Sequence, residues 1–110
     1  MKLLIAGSRS ITEFDLEGHI PPEVTVIISG GAKGIDTLAE QYADAHGIEK
    51  IIIKPDYNRY KRGAPLKRDE EMVELADAVL VIWDGVSRGT KYTADYARKK
   101  NKPVTVVEVK

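Results

Sequence analysis

The 110-residue sequence contains no cysteine. That absence removes disulfides, thiolate metal sites and thiol nucleophiles together, and it suits a cytoplasmic protein. Net charge is missing as well, since 17 Lys and Arg balance 17 Asp and Glu. No global field therefore recruits nucleic acid or an anionic membrane, and any such attraction has to come from a local patch. No apolar stretch approaches the length of a membrane span, and the run before Gly7 is too short for the hydrophobic region of a signal peptide. A soluble, unprocessed chain with no membrane partner is expected. The two histidines lie far apart without ligand-like spacing, so neither a metal site nor a cofactor is implied. With no repeat, low-complexity tract or linker-like break, residues 1–110 read as one domain around one core.

What is present is a series of short apolar runs separated by helical periodicity. Leu3 to Ala6, Val24 to Ile28, Lys50 to Lys54, Ala78 to Trp83 and Val104 to Val107 do not alternate polar with apolar, which predicts strands buried on both faces. Between the second and third, Ile35, Leu38, Ala39, Tyr42, Ala43 and His46 recur at helical spacing, and Gly47 stands where a helix C-cap is expected. Pro65 suits the first position of a further helix, whose core face is read from Leu66, Met72, Val73 and Ala76. Thr90, Thr93, Ala94 and Ala97 form a small-residue stripe that would let a last helix lie close to the sheet, with Asn101 and Pro103 marking its stop. From Ile11 to His19 the pattern supports at most a short helix starting near Thr12, because Pro21-Pro22 forbids its continuation. Asp56 to Ala64 reads as a polar, basic loop.

Strands alternating with helices predict an α/β, Rossmann-like, doubly wound parallel sheet of about five strands in the order 3-2-1-4-5, with helices on both faces. In that order the loops after the first, second and fourth strands share one edge. They contain Gly7, Ser8, Arg9 and Ser10; Ser29, Gly30, Gly31, Ala32, Lys33 and Gly34; and Asp84, Ser87, Arg88, Gly89 and Thr90. Glycines in the middle loop would let backbone N–H groups approach an anion, Lys33 adds a point charge, and the following helix presents its positive end. Phosphate is the expected guest, although a tight turn needing glycine for geometry alone would look the same. The spacing matches neither the Walker lysine pattern nor the dinucleotide-binding glycine pattern. Asp36, in the first turn of that helix, is placed to cap amides of its own loop. Ser8-Arg9-Ser10 and Ser87-Arg88-Gly89-Thr90 offer hydroxyls and guanidinium groups that converge on the same edge. Lys54, Arg59, Lys61, Arg62, Lys67 and Arg68, with Tyr57 and Tyr60 among them, read equally as a single-strand binding patch or as a solvated charged surface.

Gly-Ser-Arg after the first strand, Ser-Gly-Gly-Ala-Lys-Gly-Ile-Asp after the second, Ala-Pro-Leu-Lys-Arg before the third helix and Asp-Gly-Val-Ser-Arg-Gly-Thr after the fourth strand together resemble the SLOG superfamily. That group joins the DNA-processing protein A family to the LONELY GUY nucleotide hydrolases, and the likeness is to its small stand-alone YspA-like branch. The resemblance implies a domain that binds nucleotides or nucleotide-derived small molecules. In the DNA-processing relatives the segment matching Ser29 to Asp36 meets single-stranded DNA phosphates, but their following histidine falls on Glu40 here. In the hydrolases a Gly-Thr turn precedes a catalytic glutamate, whereas Gly89-Thr90 is followed by Lys91, Tyr92 and Thr93, and their catalytic arginine matches Arg68. The Arg-Asn pair common in the small branch is Arg68-Asp69 here.

The leading expectation is thus a sensor-type nucleotide-binding domain, with Arg9, Lys33 and Arg88 on phosphate. A phosphoribohydrolase acting on nucleoside monophosphates, using Arg68 with Asp36, Asp69 or Asp84 as a displaced carboxylate, is the alternative, since N-glycosidic cleavage needs a carboxylate near its oxocarbenium-like state. Single-stranded nucleic-acid binding through the basic stretch is a third. A homodimer would wall in the shallow loops of so small a sheet.

Overall fold

Leu4 and Ile5, both wholly buried, sit side by side in the strand that the rest of the sheet is built around. The computed structural model describes residues 1–109. Its elements are β1 (Lys2–Gly7), β2 (Val26–Ser29), α1 (Ile35–Ala45), β3 (Glu49–Ile52), α2 (Tyr57–Tyr60), α3 (Ala64–Leu75), β4 (Ala78–Trp83), α4 (Arg88–Lys99) and β5 (Val104–Glu108). All strand pairs are parallel and the order is β3-β2-β1-β4-β5, as the alternation of strand and helix predicts. The chain leaves β3 on one side of β1 and returns as β4 on the other, so the crevice between the loops after β1 and β4 is the topological switch point.

Successive side chains of a strand point to opposite faces, and the core divides accordingly. Leu3, Ile5, Ile27, Leu80 and Ile82 meet Ile35, Ala39 and Ala43 of α1 on one face. Leu4, Ala6, Ile28, Val79 and Val81 meet Met72 and Val73 of α3 and Ala94 and Ala97 of α4 on the other. The stripe Thr90, Thr93, Ala94 and Ala97 is buried against the sheet. Tyr92 and Tyr96 donate their hydroxyls to Glu70 and Glu74, fixing α4 against α3. Gly47 and Asn101, both at positive φ, follow α1 and α4.

Four local expectations are corrected. Residues 11–19 form no helix: the Glu17 N–H is taken by Asp15 Oδ1, Gly18 adopts φ 83°, and the segment serves as a loop that buries Ile11 and Leu16 over the α1 face. Asp56 to Ala64 is not open loop, because Asp56 Oδ1 accepts the Arg59 N–H and starts α2, which a 3-10 turn at Lys61–Gly63 joins to α3. The third strand ends at Ile52 and lies at the sheet edge, leaving Ile52 half exposed. Leu66 is 42% exposed and contributes to no core; the inward face of α3 instead carries Ala64, Arg68, Asp69, Met72 and Val73.

Candidate functional site

Ser8 ties together the loops that gather at the carboxyl edge of the sheet. Its N–H donates to the Ile82 carbonyl, its Oγ accepts the Asp84 N–H at 3.0 Å, and its carbonyl accepts from Ile11 and Ile35. Gly34 passes so close that a Cβ there would stand 2.5 Å from the Ser8 carbonyl oxygen, at φ 75°. Glycine is thus required for two backbones to touch. Asp84 organises the third loop: its carboxylate accepts the Val86 and Ser87 N–H groups at 2.9 and 2.8 Å and the Ser10 hydroxyl at 2.8 Å. Those donors hold it down to about 2, which leaves it a turn-forming anion rather than a proton donor near neutrality.

The turn from Ser29 to Asp36 ties two of its own amides and lends a third to Ser8. The Gly31 N–H reaches Ser29 Oγ, the Ala32 N–H reaches Asp36 Oδ2 at 3.1 Å, and the Ile35 N–H faces the Ser8 carbonyl. The Ser29 hydroxyl also lies 3.3 Å from Glu40 Oε2, so Glu40 braces the turn. Lys33 is exposed at its tip.

A cavity of about 480 Å³ opens at the switch point. Gly7, Arg9, Ala32, Asp36, Arg68, Asp84, Ser87, Gly89 and Thr90 line it, so the structure brings these sequence-predicted residues together. Ser8, Ser29, Gly30, Gly31, Lys33, Gly34 and Arg88 lie outside its lining. Ser8, Ser29 and Gly34 are buried supports, and Lys33 and Arg88 are exposed. Ser10 and Asp69, also singled out in the sequence, line the cavity too, as do Ala6, Pro65, Leu66, Met72 and Thr93. The 65, 68, 69, 72 spacing on α3 is the sequence signal that marks one of its faces as facing the site. Of the basic stretch, only Arg68 lines the cavity. Arg59 lies over the Tyr60 ring, and Tyr57 is 57% exposed.

Arg68 is the buried cation of the wall, 8% exposed. Its Nε donates to Asp69 Oδ1 at 2.8 Å and its Nη1 to the Gly30 carbonyl at 2.7 Å. A Cβ on Gly30 would stand 2.6 Å from that Nη1 and 2.9 Å from Asp36 Oδ2, so the missing side chain lets α3 and α1 bring opposite charges together. Burial pushes Asp69 up to about 6 against the pull of Arg68 and of the Thr93 hydroxyl. Burial also raises Asp36, opposed first by the Ala32 N–H and then by Arg68.

At the other side of the cavity α4 begins. Ser87 is its N-cap residue but its hydroxyl pairs with Thr90 Oγ1 at 3.0 Å instead of capping an amide. The positive end of the helix dipole therefore faces the cavity through Gly89 and Thr90, beside Arg9 and Ser10. An anion would find donors there, while the α3 wall offers a guanidinium between two carboxyl groups. Among the described residues no cluster of three His, Asp or Glu could hold a metal ion, and no helix is long and apolar enough to cross a membrane.

The chain is similar over almost its full length to a Mycobacterium phage D29 protein known as Gene 61 protein: 32% of 116 aligned positions are identical, covering 94% of this chain and 93% of the relative. No solved structure gives a significant match. Residues 1–60, which carry β1, the glycine turn and α1, match the family model described as YspA, cpYpsA-related SLOG family. The chain belongs to that SLOG family.

Proposed function

We propose that this domain binds a nucleotide or nucleotide-derived small molecule in the switch-point cavity and acts as a sensor-type module. The observation that carries the reading is the convergence of the loops after β1, β2 and β4 on one cavity of about 480 Å³, within the size range of small-molecule sites. Membership of the SLOG family supports a nucleotide-related ligand. In this reading the phosphate sits against the start of α4, with Arg9 as its cation and the Gly89 and Thr90 N–H groups as donors, joined by the one hydroxyl proton that the Ser87–Thr90 pair leaves free. The Ser29 to Asp36 turn serves mainly as the rigid support of Asp36 and of Gly30, whose carbonyl holds Arg68. Thermal-shift assays with ribonucleoside mono-, di- and triphosphates, joined to mass spectrometry of small molecules that copurify with the protein, test this directly. A copurifying nucleotide, or a saturable shift, is the expected result. Absence of both at millimolar ligand overturns the reading.

Asp69 favours a second reading. A carboxyl group raised to about 6 inside the cavity wall is suited to general acid work, such as protonating a departing base. It stands beside Thr93, one of the three residues that follow Gly89-Thr90 where the hydrolase relatives carry an acid, so Asp69 would supply from α3 the carboxylate that this part of α4 lacks. Chromatography of nucleoside monophosphates incubated with the protein decides between the readings: release of free base establishes hydrolysis, and intact nucleotide leaves binding.

A further inference from the structure

Arg68, Asp36 and Asp69 form a wall that is poorly matched to phosphate. Arg68 uses Nε and Nη1 on the protein, and its Nη2 makes no hydrogen bond within the described residues. Asp36 engages Ala32 through Oδ2, and its Oδ1 likewise has no hydrogen-bond donor within the described residues. No buried side-chain nitrogen or oxygen among the described residues lacks a partner, so these atoms reach solvent, and both residues line the cavity. Arg68 Nη1 and Asp36 Oδ2 lie 2.6 and 2.9 Å from where a Gly30 Cβ would stand, so the guanidinium and the carboxyl group that carry the free Nη2 and Oδ1 are drawn toward one point from α3 and α1. A phosphate only accepts, and it would be repelled by the two carboxylates. An ammonium only donates, and it would be repelled by Arg68. A hydroxyl both donates and accepts, so a pair of neighbouring hydroxyls is the neutral group that satisfies such a wall.

We propose that the Asp36, Arg68 and Asp69 wall binds the ribose diol of a ribonucleotide, orienting the ligand with its phosphate toward the start of α4. The inference rests on the nucleotide reading above. The spacing supports the sugar over the base. Asp69 contacts Thr93, whose hydroxyl donates to the Gly89 carbonyl, so the wall stands about one helical turn from the α4 start. The ribose is the part of a nucleotide joined directly to the phosphate, and the base lies beyond it, toward Pro65 and the half-exposed Leu66 at the cavity lining.

Isothermal titration of the wild-type protein with the four ribonucleoside 5′-monophosphates and their 2′,3′-dideoxy counterparts provides the test without any variant. Every base that binds as the ribonucleotide should bind at least about tenfold more weakly as the dideoxynucleotide, because hydrogen bonds to charged groups are lost. Asp69→Asn and Asp36→Asn should each shrink that ratio. Equal binding of the two sugars, or discrimination among bases with none between sugars, overturns the diol assignment and leaves nucleotide binding standing. No binding by any of the eight compounds overturns the diol assignment for monophosphates, and the wider nucleotide panel with copurification then decides the nucleotide reading itself.

Discussion

Arg68 and Asp69 are adjacent in sequence and paired in space, with Nε and Oδ1 2.8 Å apart and each residue 8% exposed. Consecutive residues of a helix usually diverge, but here both turn inward because Asp36, the Gly30 carbonyl and the Thr93 hydroxyl wait on that side. Arg68→Met removes the buried cation and leaves two carboxyl groups facing each other. A loss of about 3–5 kcal/mol is expected near neutral pH, the range for breaking a buried pair. The deficit should narrow near pH 5, where the carboxyl groups take up protons. Urea unfolding at both pH values measures it, and an equal deficit at both would contradict the assignment.

Asp69 itself makes stability depend on pH with a defined sign. Its carboxyl group rises from 3.8 to about 6 on folding, so between those values the folded protein holds a proton that the unfolded chain has released. The contribution of this group is whole below about 4, declines as pH climbs and is lost above about 6. Asp84 acts oppositely: held to about 2, it contributes above its unfolded value and loses that contribution in acid. Relative to Asp69→Asn, the wild-type protein should therefore lose stability between about pH 4 and 6 and run parallel to the variant above. Thermal unfolding of both proteins across that interval checks the slope.

Two glycines give opposite expectations. Gly34→Ala forces a Cβ to 2.5 Å from the Ser8 carbonyl at φ 75°, and a loss of at least about 2 kcal/mol follows from strain and overlap. Gly89 lies in the first turn of α4 with nothing within 4 Å of the site of its Cβ. Gly89→Ala should stabilise the fold by up to about 1 kcal/mol through helix propensity while weakening ligand, since the added methyl enters the cavity lining. Denaturant unfolding and nucleotide titration on the same samples separate the two effects.

Arg9 lines the cavity and Lys33 does not. At physiological salt an exposed charge beyond the lining is strongly screened, so Lys33→Glu should change nucleotide affinity by no more than about threefold. Arg9→Gln should weaken it by tenfold or more, on the order of one charge-assisted hydrogen bond. A larger effect at Lys33 than at Arg9 would return the anion to the glycine turn.

The sheet was legible because Leu3 to Ala6, Ile27-Ile28 and Val79 to Ile82 are apolar on both faces, which parallel strands alone demand, and right-handed crossovers then restrict the order. The site was legible as an edge but not as a set of contacts. Ser29 to Asp36 suggests an open cradle because sequence lists its amides without saying that Ser29, Asp36 and Ser8 already occupy several of them. Arg68 and Asp69 were legible as candidates through the family resemblance but not as a buried pair, since burial of a charged side chain depends on partners brought from α1 and α4. Ile11 to His19 was misread because its apolar residues serve a loop that packs without helical geometry.

The central pairing has a kinetic consequence. Leu3 pairs with Ala78, and every strand contact in the sheet spans a crossover, so no hairpin exists to nucleate folding locally. Loop-closure entropy must be met before those pairings give any return, which slows parallel sheets relative to helical bundles. During synthesis β1 can pair with β2 well before β4 has been made. For that interval the central strand of the sheet is an open edge, the stage at which association with another nascent chain competes with folding.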